Sequence, residues 1–248
     1  MIFRRIPTRA EVTRQNQARA RRFPCDCPHC CTTASSRSTG FRSVSFTRRS
    51  KYSTFTESNS ILKICNDLKF EPKHIVEAGV GGPIACRASE FISDNCKIDL
   101  FEANPIFYKM LVDGLSKCPN VSIYNIGLFN KNGTMQFYDR GASGFISGIN
   151  SPYNQNGGKD FASSINIQTD TFDKYDDGTV DCLMADVEGA EWFIIECMKS
   201  RPKLIILEMF GGRAYINPFN KEISNWMQLN KYKEVLKDES DICFLKNE

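Results

Sequence analysis

A chain of 248 residues with 41% hydrophobic side chains is long enough for one core domain plus an appendage. Its longest apolar stretches, such as 204–207, are strand-sized, which argues against a membrane-spanning helix. Charge divides the chain: residues 1–50 hold eleven Arg, no Lys and two acids, a net +9, so the whole-chain +3 leaves −6 for the remainder.

Segments of opposite sign and different choice of cation seldom share one core. Residues 1–58 are therefore read as an appendage and 59–248 as one domain. The appendage is rich in Arg, Ser and Thr and has no sustained apolar period, so it cannot offset its ordering entropy and is expected to be disordered. The same composition suits an organelle transit peptide, a plain tail, a nucleic-acid contact or a misplaced start codon. Within it, Cys25-Asp26-Cys27-Pro28-His29-Cys30-Cys31 crowds all its ligand types into one short run. Zinc normally takes two ligand pairs brought together across a loop, so incidental cysteine is preferred and no metal site is assigned. Seven further cysteines (Cys65, Cys86, Cys96, Cys118, Cys182, Cys197 and Cys243) are scattered singly through apolar segments. That pattern is one of reduced core thiols in an intracellular protein, cytoplasmic or, with a transit peptide, organellar.

From Ser60 onward helical and strand periods alternate. Ser60 is placed to cap a helix reaching Leu68, with Ile61, Leu62, Ile64 and Cys65 at helical spacing. His74–Ala78 is a short apolar strand running into Gly79-Val80-Gly81-Gly82. Pro83 suits the first turn of a helix whose apolar face is Ile84, Ala88, Phe91 and Ile92. A strand over 97–102, a helix over 104–115 and a strand over 121–126 follow. Lys131-Asn132-Gly133 then predicts a hairpin between 126–129 and 134–138. The Gly/Ser/Asn-rich stretch 141–158 reads as loop and 165–168 as an edge strand. Next come a strand over 180–185, a helix over 189–199, a strand over 203–208, a loop over 211–219 and a helix over 222–229. The chain closes on an antiparallel pair, 232–236 with 241–246. Such alternation predicts an α/β fold, a mainly parallel doubly wound sheet ending in a C-terminal antiparallel hairpin.

Ligands of such sheets bind off the carboxyl ends of the strands. Gly79 and Gly81 let the backbone pass close to a ligand, while Glu77 at the strand end suits a cationic group and opposes a pyrophosphate. Glu102 ends the second strand about 20 residues beyond Gly81, where a carboxylate accepts two hydrogen bonds from a ribose diol. Asn125 and Gly127, at the end of the third strand, are candidates to meet an adenine edge. Asp186-Val187-Glu188-Gly189-Ala190-Glu191 places three carboxylates at the end of the fourth. A helix start favours acids, and that reading covers Glu191 better than Asp186 or Glu188.

The Asp186–Glu191 block, preceded by Thr171-Phe172-Asp173 and Val180-Asp181 and followed by Leu204-Ile205-Ile206-Leu207-Glu208, resembles the signature of the FkbM-type methyltransferases. Glu102-Ala103-Asn104-Pro105 and Asn125-Ile126-Gly127-Leu128 are similar to that family's second- and third-strand motifs. The resemblance spans about residues 72–210. It implies a Rossmann-like class I methyltransferase fold, S-adenosyl-L-methionine as cofactor, and O-methylation of sugar or polyketide hydroxyls. It brings Asn104 into the cofactor set with Glu77, Gly79, Gly81, Glu102 and Asn125. Departures from the family pattern are Gly81 in place of Asn, Pro83 in place of Gly, and Ala185 in place of the lysine often found before the acidic block.

Methyl transfer is an in-line displacement, so alignment is the main task, helped by a base within reach of a hydroxyl acceptor. His29 lies in the appendage and His74 at the far end of its strand, which leaves a carboxylate. Asp186 is assigned as base and Glu188 as the binder of acceptor hydroxyls, with Ser143 and Phe145 in the 141–158 loop shaping the pocket. The expected partner is a small-molecule or glycan hydroxyl acceptor, with no membrane span and nucleic acid disfavoured; oligomeric state leaves no trace. Rival readings are a non-catalytic Rossmann-like binding module contacting RNA through the basic tail, and an NAD-dependent oxidoreductase. The second wants Gly-x-Gly-x-x-Gly, and position 84 is Ile.

Overall fold

The computed structural model describes residues 60–92, 95–149, 163–211 and 215–247. The Arg-rich appendage with its Cys25–Cys31 run, the boundary proposed at 58/59 and the second half of the 141–158 loop lie outside the described residues.

Ser60 does cap the first helix, α1 (Ile61–Asp67), its hydroxyl accepting the Lys63 N–H at 3.2 Å. The central strands are β1 (His74–Ala78), β2 (Lys97–Phe101), β3 (Val121–Tyr124), β8 (Cys182–Ala185), β9 (Leu204–Glu208), β12 (Tyr232–Lys237) and β13 (Asp241–Lys246). They form one sheet in the order β12-β13-β9-β8-β1-β2-β3, parallel throughout except for β13, which runs antiparallel to both its neighbours. This is the doubly wound sheet with a terminal antiparallel pair that the alternation predicts.

Side chains of a strand alternate between faces, and a sheet covered on both sides needs apolar residues at every position. Ile75, Met184 and Ile206 face one layer with Ile64 of α1 and Leu111 of α2 (Pro105–Leu115). Val76, Leu183 and Ile205 face the other, with Ile194 and Ile195 of α3 (Glu191–Glu196) and Ile223 and Met227 of α4 (Asn220–Leu229). Each such side chain stabilises the fold by roughly 1.5–3 kcal/mol. Cys65, Cys182 and Cys243 are buried free thiols within the first layer.

Four local expectations are corrected. The segment after Pro83 forms no α-helix: 3₁₀ structure starts only at Arg87 and runs to Phe91, and Ile84 is 63% exposed. The reason is Glu77, whose carboxylate accepts the N–H groups of Arg87 (3.0 Å) and Ala88 (2.8 Å) and fixes the helical start there. Next, the hairpin around Asn132-Gly133 does not form between its flanking strands. β4 (Gly127–Leu128) pairs in parallel with β7 (Ser163–Asp170), while β5 (Gly133–Asp139) pairs antiparallel with the same strand, so Thr169 sits between Gly127 and Gly133. β7 is accordingly an interior strand, not an edge, of a second sheet ordered β4-β7-β5-β6, where β6 is Phe145–Ile146. Finally, the 211–219 stretch includes part of a short ribbon, β10 (Phe210–Gly211) with β11 (Tyr215–Ile216).

A buried carboxylate locks the approaches to β8 and β9. Asp176 accepts hydrogen bonds from Ser200 N–H (2.7 Å), Gly178 N–H (2.9 Å) and the Ser200 hydroxyl. Asp176→Ala leaves two N–H groups short of an acceptor, at about 1–3 kcal/mol each. The expected loss is about 3 kcal/mol in urea unfolding, and a loss below about 1 kcal/mol would refute this account.

Candidate active site

The carboxyl ends of β1, β2, β8 and β9 meet at one edge of the sheet. Gly79 leaves β1 with φ +79°, and its backbone lies so near β8 that a Cβ there would come within 1.8 Å of the Asp186 carbonyl oxygen. Only glycine meets both demands. Gly81 also has positive φ (+69°), yet a Cβ on it would touch only Ala142 and Ala85 at van der Waals distance. It lines a cavity at the strand ends.

The lining of that cavity mixes apolar side chains (Phe101, Phe107, Ile126, Leu128, Phe145 and Ile146) with the carboxylates of Glu102, Asp186 and Glu188. Glu102 accepts Gly81 N–H and Asn104 N–H, both at 2.7 Å. A carboxylate offers about four lone-pair sites, so two remain for other donors. Burial, aided by the charges of Asp186 and Glu77, raises its pKa to about 7 against the pull of those two N–H groups.

The acidic block is a tight turn. Glu188 is held at φ +54°, in the left-handed region that a non-glycine residue adopts at a cost. Glu191 braces it: one carboxylate oxygen accepts Val187 N–H (2.9 Å) and Gly189 N–H (3.4 Å), and the other accepts the Asn217 amide. Glu191 is thus a clasp, in line with its reading as a helix-start acid. Asp186 and Glu188 face the cavity. Burial pushes both carboxyls up, opposed at Asp186 by the Arg87 charge and reinforced at Glu188 by Asp186 and Glu191. Glu208 ends β9 beside them and is raised by burial and by the same acids.

Among the residues singled out in the sequence, Gly79, Gly81, Glu102, Asp186 and Glu188 come together around this cavity, as do Gly127 and Phe145. Glu77, Asn104 and Asn125 are not in its lining. Glu77 is buried with its oxygens turned to Arg87 and Ala88. Asn104 caps α2, accepting Ile106 N–H and donating to Asp139. Asn125 donates to the carbonyls of Glu102 and Ala103 and so holds the turn that carries Glu102.

The profile of the FkbM methyltransferase domain matches residues 79–234, more than half of the chain. The chain belongs to the FkbM methyltransferase family. It is an S-adenosylmethionine-dependent methyltransferase, and the sheet order above is its Rossmann-like class I fold. No curated protein matches the sequence. Among solved structures, this methyltransferase is similar to precorrin-6y C5,15-methyltransferase from Geobacter metallireducens, at 13% identity over 71% of this chain and 82% of that one, TM-score 0.38. It is similar to Aeropyrum pernix fibrillarin with natively bound S-adenosyl-L-methionine, at 12% identity over 71% and 67%, TM-score 0.41. It is also similar to a putative rRNA methylase from Clostridium thermocellum, at 13% identity over 78% and 100%, TM-score 0.42.

The residues present fit the cofactor: two unused acceptor positions on Glu102, an apolar slot beside it and open space at Gly81. Two residues near the acidic block, Glu208 and Tyr215, escaped sequence reading as candidates. Glu208 is a strand-end carboxylate like Glu102, and the same rule would have found it. Tyr215 sits in a stretch without period, and nothing local marks it. Among the described residues no helix is long and apolar enough to cross a membrane.

Proposed function

We propose that this methyltransferase acts on a hydroxyl oxygen of a sugar or other small or glycan acceptor, with Asp186 as general base and Glu188 as ligand of acceptor hydroxyls. The observation that carries the reading is that Asp186 and Glu188 line the same cavity as Gly79, Gly81 and Glu102. Acceptor-facing acids after β8 and a nucleoside-facing carboxylate after β2 thereby share one cavity across the end of β1.

S-adenosylmethionine supplies an electrophilic methyl group on a sulfonium. Glu102 receives the ribose hydroxyls, and the bare backbone at Gly79 and Gly81 admits the ligand against the strand ends. Asp186 takes the proton of the acceptor hydroxyl as that oxygen becomes the nucleophile. Glu188 orients the acceptor, and alignment itself supplies most of the acceleration. The apolar residues Phe145 and Ile146 keep water from the reacting oxygen.

Calorimetry with S-adenosylmethionine is expected to give one site per chain, and labelled cofactor incubated with cell extracts is expected to mark a hydroxyl-bearing small molecule or glycan. Label on nitrogen or carbon of the acceptor would overturn O-methylation. Glu102→Ala is expected to weaken S-adenosylhomocysteine binding about 10–100-fold, from two charge-assisted hydrogen bonds at roughly 1.5–3 kcal/mol each, discounted for replacement by water.

The Glu102 carboxyl also sets a pH dependence. Gly81 and Asn104 N–H groups face it, and Asp186 and Glu77 act on it from the neighbouring strands. Ionised Glu102 accepts the ribose hydroxyls, so cofactor affinity should tighten as pH rises through about 7. Stability of the ligand-free chain should move the other way. A carboxyl raised above its unfolded value binds more protons when folded, so its contribution is full below about 4.3 and is lost as pH rises through its folded value. Affinity that is flat from pH 6 to 8 would remove Glu102 from this role.

A further inference from the structure

β8 and β9 are parallel neighbours with Ala185 opposite Leu207, so the residues that follow, Asp186 and Glu208, leave the sheet side by side. The left-handed turn at Glu188 folds a third acid back over them. One carboxylate oxygen from each of the three lies within 4.8 Å of the others. Mg²⁺, Mn²⁺ and Ca²⁺ hold oxygen ligands at about 2.0–2.6 Å, so ligands across one ion are about 4–5 Å apart, the separation found here.

A second observation comes from outside the acidic block. The Tyr215 hydroxyl, on the β10–β11 ribbon, belongs to a side chain only 2% exposed and has no hydrogen-bond partner among the described residues. Burial first, and then the charges of Glu191, Glu208, Glu188 and Asp186, raise its pKa, so it lies near these acids. Glu188 Oε2 and Glu208 Oε2 are likewise buried without partners among the described residues, although Ser143 hydrogen-bonds the Glu188 carboxylate and Asp186 that of Glu208. A buried hydroxyl and two buried carboxylate oxygens left unsatisfied in one place are costly, and a cation with its waters would satisfy them together.

We propose that Asp186, Glu188 and Glu208 bind one divalent cation of the Mg²⁺/Mn²⁺ class, with the Tyr215 hydroxyl contacting the ion or its bound water. Hard oxygen donors select this class over softer metals. The ion's binding stands on these residues alone; its role rests on the methyltransferase reading above. In that role the acceptor hydroxyl occupies an open position on the ion, which lowers its pKa. Its proton passes to the Asp186 oxygen not engaged by the ion. The acceptor oxygen supplies the electron pair for the new C–O bond, and the pair of the breaking C–S bond leaves with sulfur.

The test is titration of Mn²⁺ into the chelator-treated full chain, read by the loss of the free-ion electron paramagnetic resonance signal. Melting temperature and S-adenosylhomocysteine calorimetry are measured alongside. The expected result is one Mn²⁺ per chain, displaced by excess Mg²⁺, with a rise in melting temperature. Glu208→Gln and Glu188→Gln are expected to weaken Mn²⁺ at least tenfold while holding S-adenosylhomocysteine within about threefold, which shows them folded. No saturable uptake by the parent chain would overturn the proposal and leave shared protons as the means of neutralising the cluster. Uptake undiminished in both variants would overturn it too. Stoichiometric Mn²⁺ without any S-adenosylhomocysteine binding would uphold the ion site and sink the cofactor reading instead.

Discussion

Asp186→Asn lowers turnover about 10²–10⁴-fold and leaves S-adenosylmethionine affinity within about threefold of the parent, on the general-base assignment. The substitution is nearly isosteric, and the close approach of Gly79 is to the Asp186 backbone, which the change leaves alone. The Asp186 N–H to Ala78 carbonyl bond (3.0 Å), which extends the β1–β8 ladder, is also untouched. What disappears is the carboxylate assigned as proton acceptor at the end of β8. The asparagine amide has no basic oxygen, so the acceptor hydroxyl must ionise into water that the Phe145 side of the cavity excludes. Single-turnover transfer of labelled methyl to the acceptor identified from extracts, together with calorimetry, checks this. Full turnover at unchanged cofactor affinity would end the assignment, whereas loss of cofactor affinity would mean that Asp186 serves the donor side.

Gly79→Ala should be the most damaging single-atom change in the domain. An alanine Cβ would overlap the Asp186 carbonyl oxygen at 1.8 Å and its carbonyl carbon at 2.7 Å, and it would also force a left-handed φ on a residue with a side chain. Neither obstacle is a flexible side chain that can step aside. Relief requires β1 and β8 to part at the edge where both halves of the site meet. A strained φ costs of order 1 kcal/mol and overpacking about 1–3 kcal/mol or more. We expect a loss of about 4 kcal/mol, a fall in melting temperature of about 10 °C, and loss of S-adenosylhomocysteine binding by at least about 100-fold. Gly81→Ala is the internal control. Its Cβ would meet only Ala142 at 3.7 Å and Ala85 at 3.9 Å, so it should cost only the φ penalty, about 1 kcal/mol. Equal effects of the two substitutions would show that backbone conformation, not the approach of β8, makes glycine necessary at position 79.

The two experiments separate two kinds of information. The series of strands and helices was legible because the signal lies between near neighbours in the chain: a short apolar run in His74–Ala78, helical spacing in α1, Ser60 as cap. The acidic block was legible for the same reason, since Asp186, Glu188 and Glu191 form a single turn, as was Glu102 at the end of its strand. By itself the sequence therefore determined the fold class, the family and seven of the residues around the cavity.

Tertiary structure decided what depends on distant partners. Whether Gly127 pairs with its sequence neighbours or with Thr169 is a contest between two registers that local pattern cannot score, and β7 takes both positions beside itself. Glu77 looked like a ligand because it ends a strand next to glycines, yet the N–H groups of Arg87 and Ala88 claim its carboxylate first. The grouping of Asp186 and Glu188 with Glu208 and Tyr215 follows from a strand pairing and a ribbon more than twenty residues away, and no spacing along the chain encodes it. Periodicity reports which face a side chain takes. Only the folded chain settles which other groups share that face, because buried donors and acceptors are satisfied by whichever partner packing brings within reach.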